Sequence, residues 1–177
     1  SEVLQLVASC AAPQLAEKRD SVSLVIELPP EPLWVMVDVC MVRQVVLNLL
    51  ANAMRLTQSG IVRLRCGERE CADSKVEVVI EVADTGPGLL PERCAQLTQR
   101  YGLSVEDVGL GLHVVGRLLD CLGSELRATS PFTPGVAKSP GDGPGVALWF
   151  ELTLDRAEPE AIKSAVRAQS AALPKQL

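Results

Sequence analysis

The chain has 177 residues, and 47% hydrophobic against 22% charged residues is the balance of a soluble globular domain, which excludes disorder over the whole length. A net charge of -5 and 3% aromatics suit neither broad phosphate neutralisation nor base stacking, so no nucleic-acid partner is expected. No apolar run approaches the roughly 18–20 residues of a membrane helix, and no basic segment followed by an apolar stretch marks a secretory leader at the N-terminus.

Residues 2–18 carry apolar positions at helical spacing, interrupted by Pro13. Residues 22–28 read as a strand that Pro29-Pro30 ends, and Leu33 to Val37 as a second short strand closed by Asp38. Val39 to Leu56 is a long apolar helix without internal Gly or Pro, broken by Ser59-Gly60. Segments 61–67 and 75–83 predict an antiparallel hairpin joined near 72–74. Pro91 to Gln99 suits a short helix, 100–108 a loop, and Gly109 to Leu122 a second apolar helix stopped by Gly123. Ser124 to Thr129 reads as a strand, 130–145 as a Pro/Gly loop, and Val146 to Leu154 as the last strand. Residues 155–177 are polar and Ala-rich, a tail, linker or solvated helix after a domain spanning 1–154. Antiparallel neighbours with helices gathered on one face imply an α+β two-layer sandwich, and the absence of βαβ alternation disfavours a doubly wound sheet.

Six cysteines, at 10, 40, 66, 71, 94 and 121, form no C-x-x-C, and the chain has one histidine, so no zinc site is expected. Their apolar neighbours suggest free buried thiols in a reducing compartment.

The only two asparagines, Asn48 and Asn52, stand four apart in an otherwise apolar helix, on one face with Gln44 and Arg55. A buried amide needs a hydrogen-bond partner, so the pair implies a polar cavity or ligand, and amide oxygens are hard donors of the kind Mg²⁺ accepts. A face meeting solvent, or amides bonded to backbone, is the competing reading. Asp84-Thr85-Gly86-Pro87-Gly88 follows a buried strand. Such a carboxylate can accept from an exocyclic amine, and its glycines let backbone approach a flat ring; a plain Asp turn is the alternative. Gly109-Leu110-Gly111-Leu112 is expected to open the second helix and offer its first N–H groups to an anion, or to be a flexible start to a core helix. Gly143-Pro144-Gly145, taken alone, is a turn. Neither a P-loop nor a Rossmann glycine motif is present.

Taken in order, RQVVLNLLANAMRLT (43–57), VADTGPGL (82–89), VGLGLHVVGRLL (108–119) and GPGVALWFELTL (143–154) resemble the N, G1, G2 and G3 boxes of sensor histidine kinase ATP-binding domains. That family, HATPase_c, shares the Bergerat (GHKL) fold with gyrase, the ninety-kilodalton heat-shock chaperone and MutL. The resemblance implies a mixed, mostly antiparallel sheet covered on one face by helices. It implies that Asn52 coordinates Mg²⁺ bridging the phosphates of ATP, that Asn48 assists there, and that Arg55 stands in the place of a phosphate-side lysine. Asn48 and Arg55 are thus the candidate catalytic residues. Asp84 would bind the adenine amino group in a pocket shaped by Gly86 and Gly88. Gly109, Leu110, Gly111 and Leu112 would support the triphosphate.

Hydrolytic relatives usually carry a glutamate where Asn48 stands. An amide cannot serve as that base, so the resemblance points to phosphoryl transfer to a protein rather than hydrolysis. The chain departs from the pattern in several places. LTQRY (97–101) stands for a phenylalanine box, the Gly88–Gly109 span is short, Asp107 replaces a glycine, and Val146 and Ala147 replace an adenine-side hydroxyl. Two alternatives follow: a degenerate, pseudokinase-like interaction module, and an anti-sigma-factor-type serine kinase. His113, inside the G2 helix, is expected to be structural and not a phosphoacceptor. The resemblance therefore implies a separate dimerisation and phosphoacceptor histidine domain, a response-regulator receiver domain as partner, a cytoplasmic location without membrane contact by this domain, and no autophosphorylation by the chain alone.

Overall fold

The computed structural model describes residues 21–31, 33–71, 75–97, 105–131 and 143–157. The expected helix at 2–18, the turn at 72–74, the box beyond Leu97, most of the 130–145 loop and the tail beyond Ala157 lie outside them.

Helix α1 spans Val39–Leu56, as its uninterrupted apolar periodicity predicts. Asp38 caps it, its Oδ1 accepting the N–H groups of Cys40 and Met41 at 2.9 and 3.0 Å. These bonds satisfy two donors that otherwise lack partners. Asp38→Ala is expected to lower stability by about 1 kcal/mol, read by thermal or urea denaturation. Val42, Val45, Val46, Leu49, Leu50, Ala53 and Met54 form the buried stripe. At the far end Thr57, fully buried, donates its hydroxyl to the Ala53 carbonyl at 2.8 Å.

The sheet is built from β1 (Val22–Glu27), β2 (Gly60–Glu70), β3 (Lys75–Asp84), β4 (Arg127–Thr129) and β5 (Val146–Asp155), in the order β1-β2-β3-β5-β4. β1 runs parallel to β2 and the other pairs are antiparallel, so the sheet is mixed, as expected. Strand alternation puts Val76, Val78, Ile80 and Val82 of β3, with Leu148, Phe150 and Leu152 of β5, on the core face. Helices α1 and α3 (Val105–Cys121) pack against each other, and α1 lies on β2 and β3. The α+β two-layer sandwich follows from these contacts. The short helix α2 (Pro91–Leu97) packs against β4 and buries Leu97.

Several expectations need correction. Leu33–Val37 forms no strand: Val35 makes one isolated bridge to Arg156, because Asp38 commits the next residues to α1. Helix α3 begins at Val105, so 105–108 is helix and not loop. β4 is confined to Arg127–Thr129, and Ser124 instead donates its hydroxyl to the Glu151 carbonyl at 2.6 Å. The five described cysteines are free, but Cys40, Cys71 and Cys121 are exposed and Cys66 and Cys94 half-buried. On α1, for example, Cys40 lies off the buried stripe. By length and composition α1 does pass as a membrane span, contrary to the sequence reading. It is the core helix, with Val45, Val46 and Leu49 fully buried.

Candidate functional site

Asp84 ends β3 and is 7% exposed. Its Oδ1 accepts the Gly86 N–H at 2.8 Å. Burial pushes its carboxyl up to about 6, against the opposing pull of the backbone N–H groups of Gly86 and Val146. The neighbouring Thr85 is also buried and ties the loop to β2: its hydroxyl accepts the Ile61 N–H at 2.9 Å, and its own N–H donates to the Ile61 carbonyl at 3.0 Å. Gly86 leaves space that a side chain would take, since a Cβ there would stand 2.8 Å from Asp84 Oδ1 and 3.3 Å from Thr57 Oγ1. Gly88 has φ +78°, in the left-handed region that glycine favours.

Gly143-Pro144-Gly145 is more than a turn. The Gly143 N–H donates to the Thr85 carbonyl at 2.8 Å, and the Gly145 N–H to the Gly86 carbonyl at 3.0 Å. The third glycine segment is thereby stitched onto the first. Ser130 completes the join: its hydroxyl accepts the Leu89 N–H at 2.9 Å and donates to the Gly145 carbonyl at 2.8 Å. Sequence reading passed over Ser130 and Thr57, because a lone hydroxyl carries no pattern until its long-range partners are placed.

Across from Asp84, Asn52 Oδ1 accepts from Arg55 Nη2 at 3.3 Å. Asn48 Nδ2 is buried without a hydrogen-bond partner. A buried unsatisfied donor is rare and calls for a ligand or water. Both amides face α3 at Gly111, where a Cβ would come within 3.5 Å of Asn52 Nδ2 and 3.9 Å of Asn48 Oδ1. Because α3 starts at Val105, its unpaired N–H groups belong to 105–108. Gly109 and Gly111 therefore lie inside the helix and do not open it. Gly111 packs against the asparagines at distances where a Cβ would make ordinary van der Waals contact.

A cavity of about 270 Å³ brings the groups together. Asn52 and Arg55 of α1, Asp84 and Gly88 of the first glycine segment and Leu112 of α3 all line it. Asn48, Gly86, Gly109, Leu110 and Gly111 are not among its described lining residues, and Leu110 is 67% exposed. Arg93 and Leu97 of α2 also line it; Leu97 opens the LTQRY stretch, while Arg93 was not singled out from the sequence. The cavity is largely aliphatic with a few polar groups in its lining, a composition suited to an apolar ligand carrying polar substituents. No group of three His, Cys, Asp or Glu able to hold a metal occurs among the described residues. His113 is half-buried in α3.

Residues 38–156 match the family described as Histidine kinase-, DNA gyrase B-, and HSP90-like ATPase. The chain is 28% identical over 168 residues to the sensor histidine kinase GacS of Pseudomonas protegens, covering 90% of this chain and 17% of that protein. It is 38% identical over 109 residues to the sensor protein TorS of Escherichia coli, covering 59% of this chain and 11% of that one. Among solved structures, full-length ShkA in complex with AMPPNP aligns with TM-score 0.66 and 26% identity, covering 88% of this chain and 30% of that chain. The catalytic domain of the histidine kinase ThkA shares the fold, with TM-score 0.64 at 20% identity, covering 88% and 94% of the two chains. The chain thus spans less than a fifth of the length of these two curated relatives.

Proposed function

Because the chain belongs to the Histidine kinase-, DNA gyrase B-, and HSP90-like ATPase family and is a sensor-kinase ATP-binding domain, we propose that it binds Mg·ATP in the cleft between Asp84 and Asn52 and donates the γ-phosphoryl to a histidine on a separate domain. The observation that carries this reading is one mostly aliphatic cavity whose lining includes the buried Asp84 together with Asn52 and Arg55.

The residues fit the nucleotide. Asp84 accepts one bond from Gly86 and, as a carboxylate, has lone pairs left for an exocyclic amine. The space kept open by Gly86 leaves the carboxylate reachable. Leu49, Ala53, Val82 and Leu148 supply apolar contact for a ring. Asn52 would hold Mg²⁺ through its amide oxygen, with phosphate oxygens and water completing the shell. The ion would neutralise phosphate charge. Arg55 already touches Asn52 Oδ1 and supplies a fixed positive charge beside the phosphates. The buried, unsatisfied Asn48 donor, one helical turn before Asn52, would bond a phosphate oxygen or a bound water.

Asn48 cannot remove a proton from water, so this chain's residues favour transfer to a protein acceptor over hydrolysis. The acceptor histidine would come from a dimerisation and phosphoacceptor domain, and a receiver domain would take the phosphoryl group next. The reading also places the domain in the cytoplasm.

Titration calorimetry with ADP and a non-hydrolysable ATP analogue, with and without Mg²⁺, tests this. Affinity is expected to rise with Mg²⁺, and Asn52→Ala to remove that gain, roughly tenfold or more, in a variant that still folds. Equal affinity under all four conditions would sink the assignment.

A further inference from the structure

The Ser130 hydroxyl joins two stretches of the cavity wall. It accepts the Leu89 N–H at 2.9 Å and donates to the Gly145 carbonyl at 2.8 Å. The Gly145 N–H in turn donates to the Gly86 carbonyl at 3.0 Å. Because 86–89 is continuous chain, these three bonds close a ring through Gly86, Leu89, Ser130 and Gly145. Gly88 lies against that ring: a Cβ there would stand 3.0 Å from Ser130 Oγ and 2.6 Å from Pro144 Cγ. Pro87, Gly88 and Leu89 line the cavity from one arm of the ring, and Val146, next to Gly145, lines it from the other. The Ser130 backbone also hydrogen-bonds Cys94 of α2, the helix that brings Leu97 into the same lining. Asp84 is tied to this assembly through the Gly86 N–H. Asn52 and Arg55 stand on α1 and are not members of the ring. A hydroxyl closes it because one oxygen both donates and accepts; alanine does neither, and a thiol does both weakly.

We propose that Ser130 is a positioning residue of the nucleotide site, which holds the Pro87–Leu89 and Val146 walls at the spacing that receives the base without itself touching the nucleotide. The inference rests on the ATP-binding reading and assigns the shape of the half that holds Asp84 to a side chain outside the lining. The half built on α1, with Asn52 and Arg55, is set separately. Loss of the hydroxyl therefore weakens nucleotide binding by the same factor with and without Mg²⁺.

The test is ADP titration, with and without Mg²⁺, of the wild-type chain and of S130A, S130C and S130T, with thermal melts to establish that each is folded. S130A and S130C are expected to bind about tenfold more weakly, because the Leu89 N–H and the Gly145 carbonyl lose their partner and the two walls part. Their ratio of affinities with and without Mg²⁺ should stay within about twofold of the wild-type ratio, since the metal end is untouched. S130T keeps the hydroxyl and should bind within about twofold of wild type. S130A or S130C folded and binding like wild type overturns the proposal. So does S130T as weak as S130A, because the hydroxyl would then not be the cause. A Mg²⁺ ratio that collapses in S130A overturns it too, because that marks a general loosening of the domain. A wild-type chain that does not bind ADP overturns both this inference and the ATP-binding reading. Binding that Asn52→Ala weakens and S130A does not overturns the positioning role alone.

Discussion

Replacing Asp84 with asparagine is expected to weaken ADP binding about a hundredfold while making the unliganded domain more stable. The two effects share one cause. Asp84 is 7% exposed, and burial raises its carboxyl from 3.8 to about 6. Folding therefore favours the protonated form. At pH values above about 6 the folded chain carries an ionised carboxylate in a poorly solvating place, at a penalty on the order of 3 kcal/mol. That penalty shrinks as pH falls through 6 and is gone below the unfolded value of 3.8. Asparagine carries no charge and keeps an oxygen for the Gly86 N–H. Its amide NH₂ needs a partner, which offsets part of the gain, leaving about 1–2 kcal/mol of stabilisation near pH 7.5. Thermal melts of both proteins at pH 7.5 and pH 5 check the sign, since the gap should narrow at pH 5. The same proton should weaken wild-type ADP binding as pH drops through about 6, because a protonated carboxyl loses acceptor capacity. An Asp84→Asn variant that binds normally, or that is less stable at pH 7.5, contradicts this account.

Gly143→Ala is expected to cost about 3 kcal/mol of stability and to damage the nucleotide site with it. A Cβ at 143 would stand 2.0 Å from the Gly86 carbonyl oxygen and 3.2 Å from Pro87 Cα. Both are backbone atoms, which cannot swing aside as a flexible side chain does. The 143–145 segment must therefore lift away from the 85–88 loop. It then loses the Gly143 to Thr85 and Gly145 to Gly86 bonds. Asp84 is held by the Gly86 N–H, so loosening Gly86 releases the carboxylate as well. Denaturant unfolding reads the stability loss, and ADP titration reads the damage to the site. Wild-type values in both would show that the two glycine segments do not depend on each other.

The helix at 39–56 was legible because eighteen residues run without Gly or Pro in a regular apolar period, and its structural bounds are the expected ones. The 60–70 and 75–84 hairpin was legible for a similar reason, in β-branched alternation. The mixed sheet and the family assignment likewise followed from local pattern and the order of the glycine boxes. Pattern failed where local and distant partners compete. At 33–37 a β-rich run became one isolated bridge, Val35 with Arg156, flanked by the Met36 N–H to Asp155 and Ala157 N–H to Trp34 backbone bonds. The run 105–108 reads as the end of a loop, yet it forms the first turn of a helix carried by burial of Val115 and Leu119. The cysteines looked buried from their neighbours, but a helix exposes residues one position away from its core stripe.

Within the site, the sequence by itself determined the chemical inventory. Paired amides on one helix face, a carboxylate at a strand end and the glycine turns at 84–88 and 143–145 follow from residue identity and spacing, because periodicity assigns a face and glycine marks a turn. Only the tertiary structure decided what those parts do to one another. It set the raised titration of Asp84, the Thr57 and Ser130 hydroxyl bonds, the pairing of the 143–145 turn with the 85–88 loop, and the place of Arg93 in the cavity lining. Burial and long-range hydrogen bonds belong to pairs of residues far apart in the chain, and a local sequence pattern carries no record of which distant group will exclude the water.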